Sequence, residues 1–314
     1  MADVKWPKRM SDAHSPCDLC AAPDPVLLLH SPRLDGPLVR CWQCGLVYVG
    51  RRHQDFTFVA TDSPRSEALA GRVADLGIVR IEVEEAERAL RLAAERERLA
   101  SLLPHAAGGR LLDVGCALGS FLEVATSRFA VTGVEPDPGT SAQARAAGLE
   151  VLTGAIDDIL APPGATGGEA GPGAAGFDAL TMFHVIEHLD SPQRALRQAR
   201  SLLAPGGVLM IETPTVDCLW FRLTPRRWRQ LIPDHYYFFS RATLEALLRR
   251  CDFQPVAYAK VGRRVSLRFL ADRLRRSGFP LATGVSEALR LSSLGDRTVR
   301  VNPGDIMQVV AVAR

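Results

Sequence analysis

Two short segments of this chain place small residues and acids at the ends of consecutive predicted strands. Residues 111–119 read LLDVGCALG, and residues 131–137 read VTGVEPD. The first segment predicts a strand that carries Asp113 and enters a tight turn of small residues, and the apolar FLEVA at 121–125 predicts a helix after that turn. Such a turn brings backbone amides close to a ligand. Glu135, at the tip of the second predicted strand, can accept hydrogen bonds from both ribose hydroxyls of a nucleoside.

The spacing of the small residues distinguishes this turn from other nucleotide-binding loops. It reads Asp113-x-Gly115-x-Ala117-x-Gly119, whereas an NAD site would show G-x-G-x-x-G and a P-loop would end in lysine. The pair of segments resembles the class I S-adenosylmethionine (SAM) methyltransferases, whose first motif is D-x-G-x-G-x-G. Alanine replaces the middle glycine here. The resemblance implies that SAM binds at this turn and that Glu135 contacts its ribose.

The resemblance also implies the remaining cofactor contacts. In this class, the residues just after the third strand of the sheet flank the adenine. We therefore expect a set of cofactor-binding residues from the turn, from the tip of the second strand, from the end of the third strand and from the end of the fourth: Asp113, Gly115, Cys116, Ala117, Gly119, Glu135, Pro136, Ala155, Ile156, Asp157 and His184.

Four of the seven cysteines form two Cys-x-x-Cys pairs, Cys17 with Cys20 and Cys41 with Cys44. Each pair can place two thiolates on one cation at a tight turn, and two such turns complete a tetrahedral shell of four sulfur ligands. The spacing therefore predicts a structural zinc ribbon. Over residues 1–60, seven Lys and Arg accompany six Asp. This balance is poor for contacting a phosphate backbone, so nucleic acid is not expected as a partner.

Composition narrows the cellular setting. The formal net charge of +3 on 314 residues gives no signal for binding a polyanion. The sequence has no apolar run long enough to span a membrane, and its N-terminus lacks the apolar core of a signal peptide. We therefore expect a cytoplasmic protein without a transmembrane segment, in which the cysteines stay reduced.

Apolar strands and helical segments alternate after residue 104, which predicts a parallel sheet with right-handed crossovers. By resemblance, the last strand inserts antiparallel. The expected fold is α/β: a Rossmann-like, seven-stranded SAM methyltransferase sheet with a small N-terminal zinc ribbon. Residues 82–103 predict a long amphipathic helix whose charges we expect to face solvent. The domain assignment is a zinc-ribbon module at 1–55, a linker and leading helix at 56–104, and the methyltransferase domain at 105–314, with a flexible insertion at 162–176, a lid at 214–239 and an accessory insertion at 262–302.

The predicted fourth strand ends at a run rich in titratable side chains, FHVIEHLD at 183–190. If a helical turn follows the strand, His184, Glu187 and His188 share one face, because positions three and four apart are neighbours. We expect these three residues to be catalytic, with an imidazole taking a proton from a hydroxyl or from a carbon beside a carbonyl. They could instead bind a divalent cation with His235, or serve only to cap and pack the turn.

The stretch between the fifth strand and the next helix concentrates aromatic and arginine side chains. Aromatic rings offer flat surfaces to sugars, and arginines offer paired donors to phosphate or carboxylate, so a sugar nucleotide would use both. The alternative is a packed lid whose aromatics belong to the core. His235 in this stretch is a candidate for a second acid or base.

Taken together, the motifs resemble bacterial SAM-dependent methyltransferases with an N-terminal zinc ribbon, related to sugar C-methyltransferases and ubiquinone-type O-methyltransferases. The resemblance rests on CxxC…CxxCG, LLDVGCALGSFL, FHVIEHLDSP, LLAPGGVLMIETP and HYYFFSRATLEALL. It implies O- or C-methylation of a small-molecule, sugar-nucleotide or glycan acceptor. An RNA methyltransferase that uses the ribbon to hold RNA, or a scaffold without catalysis, are the alternatives. The sequence leaves the oligomeric state open.

Overall fold

The computed structural model describes residues 15–34, 36–50, 85–156, 176–276, 284, 287–289 and 292–314. Most of the expected linker, nearly all of the insertion at 162–176, and Asp157 lie outside the described residues. Within the described ranges, no helix combines the length and the hydropathy needed to cross a membrane.

The secondary structure is numbered here in chain order over the described residues. The strands are β1 (Val26–Leu29), β2 (Leu38–Arg40), β3 (Val47–Val49), β4 (Gly109–Val114), β5 (Phe129–Glu135), β6 (Val151–Thr153), β7 (Phe177–Phe183), β8 (Leu203–Pro214), β9 (Tyr237–Phe238), β10 (Phe253–Lys260), β11 (Arg263–Ser266), β12 (Thr298–Val301) and β13 (Ile306–Ala313). The helices are α1 (Glu85–Leu102), α2 (Ser120–Ala125), α3 (Pro138–Ala146), α4 (Pro192–Leu202), α5 (Leu219–Leu223), α6 (Arg241–Arg250) and α7 (Leu267–Arg276).

The main sheet has seven strands in the order β10-β13-β8-β7-β4-β5-β6. Strands β4 to β8 pair in parallel, whereas β13 pairs antiparallel with both β8 and β10. The predicted seven-stranded α/β sheet and its antiparallel last strand are thus confirmed. Because β4 lies between β7 and β5, the carboxyl ends of these strands meet at one edge, where ligands bind in open α/β sheets.

Local sequence signals set the helix starts. Ser191 caps α4 and accepts a hydrogen bond from the backbone N–H of Arg194, with Pro192 in the first turn. Ser240 and Thr243 form a reciprocal capping box at the start of α6. Both starts follow from the sequence, because serine before a helical segment satisfies amides that have no partner within the helix.

The cysteine-containing segment forms a second, four-stranded sheet in the order β1-β2-β3-β9, paired antiparallel throughout. Its last strand, β9, comes from the distant region 214–239 rather than from the N-terminal segment. Buried residues of this segment and of the seven-stranded sheet belong to one continuous apolar cluster. The N-terminal module is therefore packed as part of the core.

The accessory region is partly described. Strands β11 and β12 form an antiparallel hairpin. Arg264 in β11 donates a hydrogen bond to Glu97 of α1 (2.8 Å), and Arg300 in β12 lies 3.6 Å from the same carboxylate. This hairpin therefore docks on α1.

Candidate active site

The turn after β4 has the geometry of a ligand-binding loop. Gly115, Ala117 and Gly119 all have positive φ angles, of 72°, 48° and 78°. A side chain at Gly115 would meet Val185 at 2.5 Å, and one at Gly119 would meet Leu149 at 2.2 Å, so both positions require glycine. Ala117 adopts the left-handed conformation without being glycine, at a cost of about 1 kcal/mol.

Glu135 closes this loop from the end of β5. One carboxylate oxygen accepts the N–H of Ala117 (2.9 Å) and the other accepts the N–H of Asp137 (3.0 Å). The side chain is buried, and burial raises its pKa despite these two hydrogen bonds. A carboxylate offers about four lone-pair positions, so about two remain for a ligand.

The other expected cofactor contacts lie around the same loop. Cys116 is buried beneath it, and Pro136 follows Glu135 in a half-buried position. Beyond the end of β6, Ala155 is exposed and Ile156 is buried. Their roles toward a cofactor stay predictions.

Asp113 lies near the carboxyl end of β4 and is 3% exposed. Its carboxylate accepts a short hydrogen bond from the hydroxyl of Thr181 on β7 (2.6 Å). Burial, together with the charges of Glu95 and Glu135, raises the pKa of Asp113 to about 7 against the opposing effect of Thr181 and Arg98. The carboxyl-end edge of the sheet therefore holds several buried acids close together.

The expectation that the charges of α1 face solvent is wrong for two residues. Glu95 is buried, and Arg98 donates to both of its carboxylate oxygens at 2.9 Å. The same guanidinium makes a paired contact with Glu212 at the end of β8 (2.6 and 3.2 Å) and lies 4.5 Å from the ring of Phe183. Helix α1 is thus fixed over the carboxyl ends of the strands by charge pairing, which its helical periodicity does not reveal.

His184 and Glu187 are in contact, as the spacing predicts, but the turn between them is a 3₁₀ turn at Ile186–His188. His184 precedes this turn with a φ of 57°. Its ring nitrogens lie 3.3 Å from Glu187 and 3.2 Å from Glu212. Burial lowers the pKa of His184, but the two carboxylates outweigh it and the net pKa is raised.

Glu187 is fully buried and lies between His184 and Thr213. It accepts the hydroxyl of Thr213 (2.8 Å) in addition to its contact with His184. Although burial acts against ionisation, the hydrogen bond and charges of the neighbouring histidines lower the pKa of Glu187 to about 2. A permanently ionised carboxylate at this depth requires protonated partners around it.

His188 and His235 form the second half of the site. Their rings are 4.6 Å apart in an edge-to-face arrangement. Nδ1 of His188 lies 2.9 Å from the backbone oxygen of Asp234 and 3.3 Å from its carboxylate, and Nδ1 of His235 lies 3.0 Å from the backbone oxygen of Gln230. Oxygen acceptors at both Nδ1 atoms favour the tautomer that keeps its proton there.

The two imidazoles have opposite titration behaviour. Burial would lower the pKa of His188, but the Asp234 carboxylate raises it to about 9. Burial and the charge of His188 lower the pKa of His235 to about 4. Near neutral pH, the pair therefore combines one protonated and one neutral imidazole, as acid–base sites commonly do.

Two groups of metal-ligating side chains occur among the described residues. Donor atoms of Glu187, His188 and His235 lie within 4.8 Å of one another, as do those of Cys17, Cys20, Cys41 and Cys44. His184 is not a member of the first group. The cation alternative weighed from the sequence thus finds three suitable donors, and His235 is one of them.

The region 214–239 is mainly core. Trp228, Tyr236, Tyr237, Phe238 and Phe239 are buried, whereas Trp220 on α5 is 58% exposed. The packed-lid alternative therefore holds for most of these aromatics.

The comparisons with known proteins agree with this geometry. Residues 84–258 match the family described as methyltransferase domain, which is more than half of the chain. The chain therefore belongs to the methyltransferase domain family.

Among curated relatives, the ubiquinone biosynthesis O-methyltransferase of Xanthomonas oryzae pv. oryzae (strain PXO99A) is 31% identical over 163 residues, which covers 47% of this chain and 64% of that protein. The protein of the same description from Xanthomonas axonopodis pv. citri (strain 306) is 32% identical over 163 residues. The chain thus spans less than two thirds of the length of these relatives. A solved SAM-dependent methyltransferase from Thermotoga maritima aligns over 80% of this chain and 97% of its own, at 19% identity and a TM-score of 0.46.

We predict that Asp113→Asn stabilises the protein at alkaline pH. The folded carboxyl keeps its proton up to a pKa of about 7, whereas its ordinary value is 3.8, so this group destabilises the fold progressively as the pH rises from about 4 to about 7, and fully above that. Asparagine can still accept the Thr181 hydroxyl and cannot ionise. Urea denaturation should show a gain in the free energy of unfolding of up to about 4 kcal/mol at pH 8, shrinking as the pH falls from 7 toward 4.

The control for this experiment is Asp178→Asn. Asp178 is an exposed carboxylate on β7 that accepts the N–H of Arg110 (2.7 Å). It should give no stability gain at pH 8. An Asp113→Asn protein no more stable than wild type at that pH would show that the Asp113 pKa is not raised.

Proposed function

We propose that this protein transfers a methyl group from SAM to an oxygen atom of a small-molecule, sugar-nucleotide or glycan acceptor. The observation that carries the proposal is the loop of three left-handed residues after β4, closed by the Glu135 carboxylate at the end of β5. Membership of the methyltransferase domain family supports it. The O-methyltransferase relatives favour oxygen as the acceptor atom over carbon.

The residues around the loop suit the parts of SAM. Glu135 has acceptor positions left for ribose hydroxyls, and Ile156 offers an apolar side chain to the adenine. When bound, SAM supplies an electrophilic methyl group on a positively charged sulfur.

We assign proton transfer to the His188–His235 pair. As the new C–O bond forms, the C–S bond breaks with its electrons going to sulfur, and the acceptor hydroxyl loses its proton. His235 is the neutral imidazole, and Nδ1 bonded to Gln230 leaves its Nε2 lone pair to take that proton. The protonated His188, held by Asp234, stabilises the negative charge that develops on the acceptor oxygen.

The expected consequence of His235→Gln is a drop in kcat of about 10²-fold or more with SAM affinity unchanged, because general-base catalysis contributes about this much. The wild-type rate should be flat between the His235 pKa of about 4 and the His188 pKa of about 9, and should fall outside this window. Transfer of isotope-labelled methyl groups to a panel of phenolic and sugar hydroxyls measures the rate.

The matched control is His30→Gln, an exposed histidine of the N-terminal module, which should leave kcat unchanged. Full activity in His235→Gln would refute the base assignment. Loss of wild-type activity in EDTA, restored by Mg²⁺, would instead favour a cation held by Glu187, His188 and His235.

We also propose that Cys17, Cys20, Cys41 and Cys44 bind one structural zinc ion. The four residues are free cysteines, with Sγ–Sγ distances of 3.4 Å between Cys17 and Cys44 and 3.5 Å between Cys20 and Cys41. Four sulfurs at 2.3 Å from a tetrahedral zinc ion would be about 3.8 Å apart. The donor set and its compactness therefore fit the ion.

Elemental analysis of the purified protein should find about one zinc per chain, as one S₄ site requires. The double variant Cys17→Ser with Cys41→Ser removes one ligand from each pair and should lose the metal. Cys251→Ser, which changes a buried cysteine outside the cluster, should retain it. Zinc persisting in the double variant would place the metal elsewhere.

A further inference from the structure

We infer that the N-terminal cysteine module is a positioning part of the catalytic site, acting through Asp18 and strand β3 on the two segments that carry Glu187, His188 and His235. This inference rests on the proposed function for its catalytic meaning. Its structural core is a chain of hydrogen bonds that runs from the first Cys-x-x-Cys turn to both histidine segments.

Asp18 makes the first connection. It lies between Cys17 and Cys20, and one carboxylate oxygen accepts the hydroxyl of Ser191 (2.7 Å) while the other accepts the N–H of Gln193 (2.8 Å). Ser191 is the cap of α4 and follows His188 by three residues. The cysteine turn is therefore fastened directly to the end of the segment that carries Glu187 and His188.

Strand β3 makes the second connection. It pairs with β9 through Val47 with Phe238 and Tyr48 with Tyr237. The N–H of Val49 donates to the backbone oxygen of Tyr236 (2.9 Å), which is the residue after His235. The module thus supplies β3, the edge strand with which the residues after His235 pair as β9.

The two histidine segments are also bonded to each other across this junction. The N–H of Tyr236 donates to the backbone oxygen of Glu187 (2.9 Å), and the hydroxyl of Tyr237 donates to the backbone oxygen of Asp190 (3.0 Å). Each histidine segment is therefore bonded both to the N-terminal module and to the other histidine segment. Loss of the hydrogen bonds from the module would let the distance between His188 and His235 vary more.

The module needs its own internal support to act in this way. Its strands contain three or four residues each, and strands this short are marginal without further packing or a metal. Four cysteine ligands around one ion would supply that rigidity, because metal binding contributes directly to folding. By contrast, Glu135 accepts hydrogen bonds from the loop after β4 and from Asp137, and Asp113 accepts one from Thr181 on β7. Cofactor binding should therefore be insensitive to the module.

The test compares Asp18→Ala with Asp18→Asn and with Gln43→Ala in the full-length, zinc-loaded protein. Replacing Asp18 with alanine removes its hydrogen bonds to Ser191 and Gln193. Asparagine can preserve them, because its oxygen accepts the Gln193 N–H and its amide donates to the Ser191 hydroxyl. Gln43 occupies the second Cys-x-x-Cys turn and is exposed, so its variant controls for changes in the module that do not touch α4.

In Asp18→Ala, amide hydrogen exchange should speed up about tenfold in peptides spanning 184–190 and 234–239, as loss of two partly buried hydrogen bonds allows. Methyl transfer should slow about tenfold with SAM affinity within about twofold of wild type. Asp18→Asn and Gln43→Ala should behave as wild type, and all three variants should keep their zinc. Tyr237→Phe, which removes the bond from the Tyr237 hydroxyl to Asp190, should accelerate exchange in the same two peptides if Asp18→Ala does not fold.

Unchanged exchange in both peptides for Asp18→Ala and Tyr237→Phe would overturn the inference. Acceleration spread over the whole chain would also overturn it, because it would reduce Asp18 to a general stability role. If Asp18→Ala shows faster exchange in these two peptides only, but the wild-type protein transfers no methyl group, the proposed function is refuted and the physical connection stands.

Discussion

The carboxylate of Glu135 is the constraint on which the geometry at the carboxyl ends of β4 and β5 depends. It joins the loop after β4 to the start of α3, because it accepts the N–H of Ala117 and the N–H of Asp137 at the same time. Ala117 adopts a left-handed φ of 48°, which is unfavourable for any residue with a side chain. The hydrogen bond from the Ala117 N–H to Glu135 offsets this cost, so the shape of the loop depends on the position of the acid.

A second constraint follows from gathering acids at one edge of the sheet. Glu187 and Glu212 are buried at the ends of β7 and β8, and ionised carboxylates at such depth need cations beside them. Arg98 reaches Glu212 from α1, and His184 lies between both acids. The need to pair these buried acids therefore also determines where α1 lies.

Much of this architecture could be predicted from the sequence. The strand–turn–helix at 111–125 and the cap at Ser191 follow from local patterns, because apolar runs, glycine and serine caps act over a few residues. The antiparallel last strand was expected only from the family resemblance. The Cys-x-x-Cys pairs likewise predicted a cluster that the fold brings together. The contact of His184 with Glu187 was expected from their spacing.

The remaining features depend on contacts between residues far apart in the chain. Nothing near Glu95 and Arg98 in the sequence indicates that a strand end carrying Glu212 will meet them, so their charges were expected in solvent. The pairing of β3 with β9 joins residues almost two hundred positions apart, and β9 has only two residues, too few for a strand pattern. The hydrogen bond between Asp18 and Ser191 could not be predicted either, because the two residues are far apart in the sequence.

The most direct test of this account is calorimetric titration of the wild-type protein and of Glu135→Ala with SAM. The account predicts saturable binding of one SAM per chain by the wild type and an affinity lower by at least about tenfold in the variant, since both the ribose acceptor and the anchor of the loop are lost. Equal affinities, or no heat of binding by the wild type at millimolar SAM, would contradict the claim that these strand ends form a SAM site.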